Sequence, residues 1–273
     1  MDTPAVPAPA GELYSAAYYR KMTGLSRVLE LLFLRERRLA VERHKRPGSL
    51  LDVGCGTGEF LRTMAGAGWD VSGVEPSEAA AGCAREFRVH RGALGDAGFG
   101  PGAFDVVTLW QVLEHLPDLP GELGRIRAVL RDDGVLMVSV PNIRSLQAAA
   151  GDKVWFHLDL PRHRWQFSPE TLARLLDQAG FKVRALGHFS LEYGPYGWWQ
   201  TLFNIIGCET NFAYRLLKRG SVGPAAGGPG RRAYTIAATA LLAIPFLAAA
   251  FLLSLAESAL GRGGVITAAA EKK

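Results

Sequence analysis

Cysteine is scarce in this chain of 273 residues: there are three, Cys55, Cys83 and Cys208, odd in number and far apart. Such spacing supports neither a disulfide framework nor a thiol metal cluster, and a reducing compartment is expected. The opening stretch "MDTPAVPAPAGELY" lacks a basic segment leading into an apolar run, so it is not a secretory signal and reads as a short leader. The formal charge of +5 is small but uneven. Arg35, Arg37, Arg38, Arg43, Lys45 and Arg46 crowd one stretch, and Arg215, Lys218, Arg219, Arg231 and Arg232 another. Neither run carries an aromatic-and-basic RNA motif or zinc-finger spacing. Solvated helix faces account for them, and no nucleic-acid partner is expected. Charge is missing altogether from Ala233 to Ala256, "AYTIAATALLAIPFLAAAFLLSLA". As a helix this segment would reach roughly 36 Å, enough to cross a bilayer. Pro245 in its middle would kink or split it. Membrane contact of some kind is expected.

What is present reads as alternating strands and helices. Residues 13–45 carry Leu25, Val28, Leu29, Leu32 and Phe33 at helical spacing until Pro47 and Gly48. Then come a strand "SLLDV", a helix "GEFLRTMAGAG", a strand "DVSGVE" and a helix over 76–87. "RVHRG" and "FDVVTLW" follow as strands, 119–134 as a helix, and "VLMVSV" as a strand. "SPETLARLLDQAG" is a helix whose start at Ser168, Pro169 and Glu170 suits a first turn, and "FKVRALGHF" is extended. The alternation predicts an α/β fold, a doubly wound and mostly parallel sheet covered on both faces. Four segments are expected: a leader and helical cap (1–46), a core (47–190), an aromatic and apolar insertion (191–262), and a last strand of the core (263–273).

The chemistry concentrates in "LLDVGCGTGEF". Gly54, Gly56 and Gly58 fall between a strand and a helix, where backbone can approach a ligand at the helix N-terminus. Their spacing is GxGxG, not the GxGxxG of dinucleotide sites. Glu75 closes the second strand, where a carboxylate can accept both hydroxyls of a ribose. The fourth strand runs into "LWQVLEHLPD", placing Trp110, Gln111, Glu114 and His115 at the carboxyl edge of the sheet.

Together "LLDVGCGTGEF", "VSGVEPS", "FDVVTLWQVLEHLPD" and "GVLMVSVPN" resemble the successive motifs of the class I S-adenosylmethionine-dependent methyltransferases over about residues 49–190. "HLDLPRHRWQFSPETLARLLDQAGF" further resembles a branch acting on lipids, quinones or cell-surface glycans. The resemblance implies seven strands in the order 3-2-1-4-5-7-6, a Rossmann-like fold, with the apolar segment inserted before the last strand. It also implies S-adenosylmethionine as cofactor. Gly54, Cys55, Gly56 and Gly58, with Asp52, would line its methionine end. Glu75 beside Pro76 would hold the ribose, Ala93 and Leu94 would meet the adenine, and Gln111 would approach the substrate side.

Methyl transfer to a hydroxyl needs alignment, exclusion of water and removal of a proton by a base with a pKa near neutrality. His115, His157 and His163 are the candidate bases, the last two in the loop "WFHLDLPRHRWQF" with Asp159 and Arg162. Glu114 and His115 equally suit a structural anchor. Some quinone O-methyltransferases hold a divalent metal with Glu-x-x-Glu-His. Gln111 replaces the first Glu here, so no metal is expected. Tyr18 and Tyr19 are candidates for a cofactor lid. If the last strand rejoins the sheet, the apolar segment must either dip into the membrane and return, with its turn near Pro245, or lie in the interface. Arg231, Arg232, Arg262, Lys272 and Lys273 fit flanks that stay cytoplasmic. The expected function is O-methylation of a membrane-borne small molecule, lipid or lipid-linked glycan at the inner face of a bacterial cell membrane. The alternative is a non-catalytic S-adenosylmethionine-binding scaffold.

Overall fold

The computed structural model describes residues 25–78, 82, 84–219 and 227–273. Tyr18, Tyr19 and Cys83 lie outside these, as do residues 79–81 of the helix expected over 76–87. The sheet has seven strands in the order β3-β2-β1-β4-β5-β7-β6. They are β1 (Ser49–Val53), β2 (Asp70–Glu75), β3 (Arg88–Arg91), β4 (Phe104–Trp110), β5 (Leu130–Pro141), β6 (Phe181–Gly187) and β7 (Val265–Lys272). β1 to β5 run parallel to one another, and β7 runs antiparallel between β5 and β6.

The apolar runs of the central strands are buried from both sides, as strands covered on two faces must be. Successive side chains point to opposite faces. Leu51, Leu109, Leu136 and Val138 therefore join one core with Leu123 and Ile126 of α3 (Leu119–Val129) and Leu172 and Leu176 of α5 (Pro169–Gln178). Leu50, Val106 and Met137 join the opposite core with Leu34 and Val41 of α1 (Leu25–Glu42) and Phe60, Leu61 and Met64 of α2 (Glu59–Ala65). Strand order reverses between β1 and its neighbours β2 and β4, which opens a crevice at the carboxyl ends.

Two sequence expectations are corrected. The helix expected over 119–134 stops at Val129, because Leu130 is buried and pairs with Phe104 as the first residue of β5. A register shift between Phe104 and Val106 accommodates the polar 131–134 stretch. The second concerns Pro245. The apolar segment is one continuous helix, α8 (Gly228–Ala259), and does not turn there. The reversal is made instead by α6 (Tyr193–Ile205), with α7 (Phe212–Arg219) following it and α4 (Leu146–Gly151) packed at its base. Antiparallel contacts tie α6 to α8: Trp199 Nε1 donates to the Ala243 carbonyl at 2.9 Å, and Tyr234 Oη to the Ile206 carbonyl at 2.8 Å. Pro245 removes the helical donor to the Leu241 carbonyl and is accommodated within the continuous helix.

Candidate functional site

The glycine loop takes the shape that its residues require. Gly54, Gly56 and Gly58 have φ of +75°, +53° and +77°, a region that L side chains enter at a cost of roughly 1–2 kcal/mol. A Cβ on Gly54 would lie 2.5 Å from Val112 Cγ2, and one on Gly58 2.7 Å from Ala84 Cβ. The loop is held from below: the amides of Gly54 and Cys55 donate to the Val74 carbonyl at 2.7 and 3.1 Å. The Cys55 side chain packs under the loop, where a Cβ on Gly73 would be 2.6 Å from Sγ. Burial pushes its thiol up, so Cys55 contributes its backbone to the cradle.

Two buried carboxylates flank the loop. Glu75 accepts from the Gly56 amide at 2.9 Å through Oε2 and from the Ser77 amide at 2.8 Å through Oε1. A carboxylate has about four lone-pair positions, so two remain to receive a pair of vicinal hydroxyls. Burial raises the Glu75 pKa against the opposing pull of those amides. Asp52 accepts from Thr108 Oγ1 at 2.6 Å, and its carboxyl is pushed up to about 7, chiefly by burial. An arriving cation would favour its charged form.

The remaining cofactor candidates differ in what they offer. Pro76 is exposed at the rim beside Glu75. Ala93 caps the short 3-10 turn Leu94–Asp96 after β3, and the Leu94 side chain is buried in the core, leaving its backbone at the turn. Gln111 adopts φ +56° at the end of β4. Its amide N–H donates to the Ser139 carbonyl at 2.9 Å and its Nε2 to Ser139 Oγ at 3.2 Å.

Next along the carboxyl edge, the three candidate histidines are brought together. His115 closes the 3-10 turn Leu113–His115 and meets His163 edge-on, ring centroids 4.8 Å apart. His115 Nδ1 lies 3.0 Å from the Arg162 carbonyl, and His163 Nδ1 lies 2.7 Å from the His157 carbonyl. His157 is buried with Nε2 3.3 Å from the Tyr193 carbonyl of α6. The loop is fixed by its backbone: the Arg164 and Trp165 amides donate to the Glu114 carbonyl at 2.9 and 3.3 Å. Arg162 pairs with Asp159 at 3.3 Å. Burial lowers the pKa of His115 and of His163, and takes His157 down to about 4. All three rings are therefore neutral at neutral pH.

Sequence reasoning treated Glu114 as an anchor for a helix, and the structure gives its side chain another environment. It is fully buried, and neither carboxylate oxygen has a hydrogen-bond partner from another described residue. Burial pushes its pKa to about 8. Donor atoms of Glu114, His115 and His163 lie within 4.8 Å of one another.

A cavity of ≈ 680 Å³ opens between α1 and the β5–β7–β6 part of the sheet. Trp110 and Ser139, at the ends of β4 and β5, line it together with Leu32, Leu186, Phe189 and Ser258 of α8. Arg37 of α1 bridges this region, donating to Glu192 and to Tyr193 Oη and lying 5.6 Å from the Trp110 ring centroid.

Comparison with known proteins agrees with this geometry. Residues 25–186 match a family model described as a methyltransferase domain. The ubiquinone biosynthesis O-methyltransferase of Caulobacter vibrioides is 33% identical over 193 residues, covering 60% of this chain and 73% of its own. That of another Caulobacter species is 32% identical over 216 residues, covering 69% and 82%. A solved SAM-dependent methyltransferase from Archaeoglobus fulgidus shares the fold, with a TM-score of 0.55 at 21% identity over 89% of this chain and 94% of that one. A glycine cradle with free carboxylate lone pairs beside it, on a sheet of this order and within a matched methyltransferase domain, leads to one conclusion: the chain belongs to the S-adenosylmethionine-dependent methyltransferases.

Proposed function

We propose that the protein transfers a methyl group to a hydroxyl oxygen of an amphiphilic, membrane-borne acceptor of the quinone-precursor type, working at the cytoplasmic face of the membrane. The observation that carries the membrane part is the outer face of α8. Over Ala233–Ala256 it presents only uncharged side chains, with Leu241, Ile244 and Leu252 exposed by 76%, 81% and 67%. A contiguous apolar surface of this length marks a binding surface. Because α8 ends where β7 rejoins the sheet, we read the α6–α8 pair as lying in the lipid interface with this face inward. The names of the relatives support a phenolic hydroxyl as acceptor. On this reading residues 47–190 and 263–273 form the catalytic core, 191–262 the membrane-associating insertion and 1–46 the leader and cap.

When bound, S-adenosylmethionine would supply a methyl group on a sulfonium: the acceptor oxygen would bond to the methyl carbon as the C–S bond breaks, the sulfur would leave as a neutral thioether, and the hydroxyl proton would pass to a histidine base. The chain's own work is positioning and exclusion of water. Asp52 and Glu75 would hold the two polar ends of the cofactor, and the lack of side chains at Gly54, Gly56 and Gly58 would let it approach the loop backbone. Gln111 separates the cofactor side from the acceptor side. The His115–His163 pair stands at the acceptor hydroxyl, and His157 supports it from behind through its carbonyl to His163 Nδ1. The apolar part of the acceptor occupies the cavity beside α1, which reaches Ser258 at the foot of α8. The test is methyl-labelled S-adenosylmethionine incubated with the protein and bacterial membranes, followed by solvent partition. Label is expected in the organic phase. Label confined to aqueous polymer or protein would overturn the acceptor assignment.

A further inference from the structure

The cavity beside α1 has apolar walls and an excess of positive charge. Arg35 and Arg37 of α1 and Arg43 just beyond it line the cavity, and the one lining carboxylate is Glu36. That carboxylate is already committed: both of its oxygens accept from the Leu191 amide at 3.0 Å, and burial raises its pKa. Neither Arg35 nor Arg43 has an ion-pair partner among the described residues. We infer that Arg37 is the specificity-determining residue of this cavity and binds an anionic oxygen group, a carboxylate or a phosphate, carried by the methyl acceptor.

The guanidinium of Arg37 is fixed before any ligand arrives. Its side chain is 19% exposed. Nη2 donates to Glu192 and, at 2.9 Å, to Tyr193 Oη. The guanidinium carbon lies 5.6 Å from the Trp110 ring centroid and 5.7 Å from that of Tyr193. A planar cation held against two rings has little freedom left to lose on binding. The two bonds occupy Nη2 alone. Nε and Nη1 have no acceptor among the described residues, so most of the donor capacity of the guanidinium is unspent. Charge-assisted hydrogen bonds are roughly twice as strong as neutral ones, and a neutral amphiphile filling the cavity would leave these donors poorly matched. The place also suits an acceptor. Trp110 and Ser139, at the carboxyl ends of β4 and β5, line the same cavity. Arg37 is near enough to Asp52 to oppose the rise that burial gives its pKa. An anion on the acceptor would therefore offset the like charges of the guanidinium and of the sulfonium proposed beside Asp52. Leu32, Leu39 and Leu186 remain for the apolar part of the molecule. This subsite rests on the reading of the cavity as the acceptor's, and neither on the membrane contact nor on which histidine takes the proton.

The experiment is calorimetric titration of the full-length protein, saturated with S-adenosylhomocysteine so that no transfer occurs. The probes are a hexyl-substituted hydroxybenzoate, the corresponding neutral benzamide and the corresponding aryl phosphate. An anionic probe should bind at least about tenfold more tightly than the amide. Arg37→Gln should cut that preference to less than about twofold. Arg37→Lys keeps the charge without the planar donors and should reduce the preference at least about threefold. Glu192→Gln leaves the guanidinium in place and should keep the preference or enlarge it, which a merely structural Arg37–Glu192 pair would not do. Melting temperatures on the same samples show which variants fold. Tightest binding of the benzoate identifies a ring acid and tightest binding of the phosphate a phosphate ester, and both support the subsite. No binding of any probe, equal binding of the amide, or a preference unchanged in the Arg37 variant that folds would each overturn it. Probe binding is read without methyl transfer and without membranes. Loss of the charge preference therefore leaves the membrane-borne acceptor standing, and label in the aqueous phase leaves the subsite standing.

Discussion

At the scale of single residues, Asp52 makes a sign-definite prediction. Its carboxyl is pushed up to about 7 by burial, while Thr108 and Arg37 pull the other way and Glu75 adds to the rise. Ionised Asp52 is thus disfavoured in the free protein: its contribution to stability is fullest below the ordinary aspartate range and is lost as pH rises through about 7. With the cationic methionine end of S-adenosylmethionine at Asp52, as proposed, this preference would be reversed. Below about pH 7 binding must first displace a proton, so affinity should fall by up to about tenfold per pH unit on going from pH 7 toward 5.5. Calorimetric titration across that range checks it, and Asp52→Asn should bind more weakly at pH 8 with a flatter profile. A wild-type affinity that is level across the range would place the ammonium elsewhere. The glycines and both acidic residues of this half were legible in the sequence because each answers a backbone or charge requirement fixed by a few neighbours. Glu114 was not. Its isolation depends on the 157–166 loop folding over it, and no local spacing records a contact between segments some fifty residues apart.

The elements themselves were legible wherever one face had to be buried or one end capped. α5 is the clearest case: Ser168 Oγ accepts from the Thr171 amide at 3.2 Å, and Thr171 Oγ1 accepts from the Ser168 amide at 2.8 Å. The sequence pointed to this start through Ser168, Pro169 and Glu170, while the reciprocal partner is Thr171 rather than a Glu or Gln. Ser168→Ala should cost about 1 kcal/mol of unfolding free energy, measured by urea denaturation with the slope unchanged. A loss near zero would mean that the Pro169 start holds the turn unaided. Helix ends set by tertiary pairing were harder to read. "LRDDG" follows an amphipathic pattern without interruption, and only the pairing of Leu130 with Phe104 converts it to strand. Pro245 misled for the complementary reason. A proline breaks an isolated helix, but α8 has α6 packed alongside it, with Trp199 bonded to the Ala243 carbonyl.

For the whole molecule, the order of elements decides how it can meet a membrane. β7 pairs with β5 and β6 over its length, and the Gly264 carbonyl accepts from the Asn142 amide at 2.9 Å, so the chain after α8 is fixed to the core. The base of the hairpin is fixed as well. Buried Gln147 of α4 donates to the Gly194 carbonyl and to Glu257, and Glu257 also accepts from the Gly264 amide. Gly197 of α6 permits this closeness, since a Cβ there would lie 2.5 Å from both Gln147 Oε1 and His157 Nε2. On the proposed reading a helix so fixed at both ends of its base stays with the core, and its bare face is accommodated where it stands. α6 packs against both α8 and the turn that carries His157, which on the proposed reading gives a lipid-borne acceptor a short route to the site. Leu241 and Ile244 are the natural test because they are the most exposed large side chains of α8 and their replacement disturbs no core. Each is worth about 2 kcal/mol when buried in an apolar phase, so Leu241→Asp with Ile244→Asp should lower partition onto phosphatidylcholine–phosphatidylglycerol vesicles by at least about a hundredfold. Flotation measures this, and thermal melting and S-adenosylmethionine binding should stay at wild-type values. Because the driving term is apolar burial, wild-type binding should persist in high salt, where a purely basic attachment through the arginines at the hairpin tip would be screened away. Flotation lost in salt, or retained by the double variant, would move the membrane contact from the face of α8 to those arginines and take the acceptor's route with it.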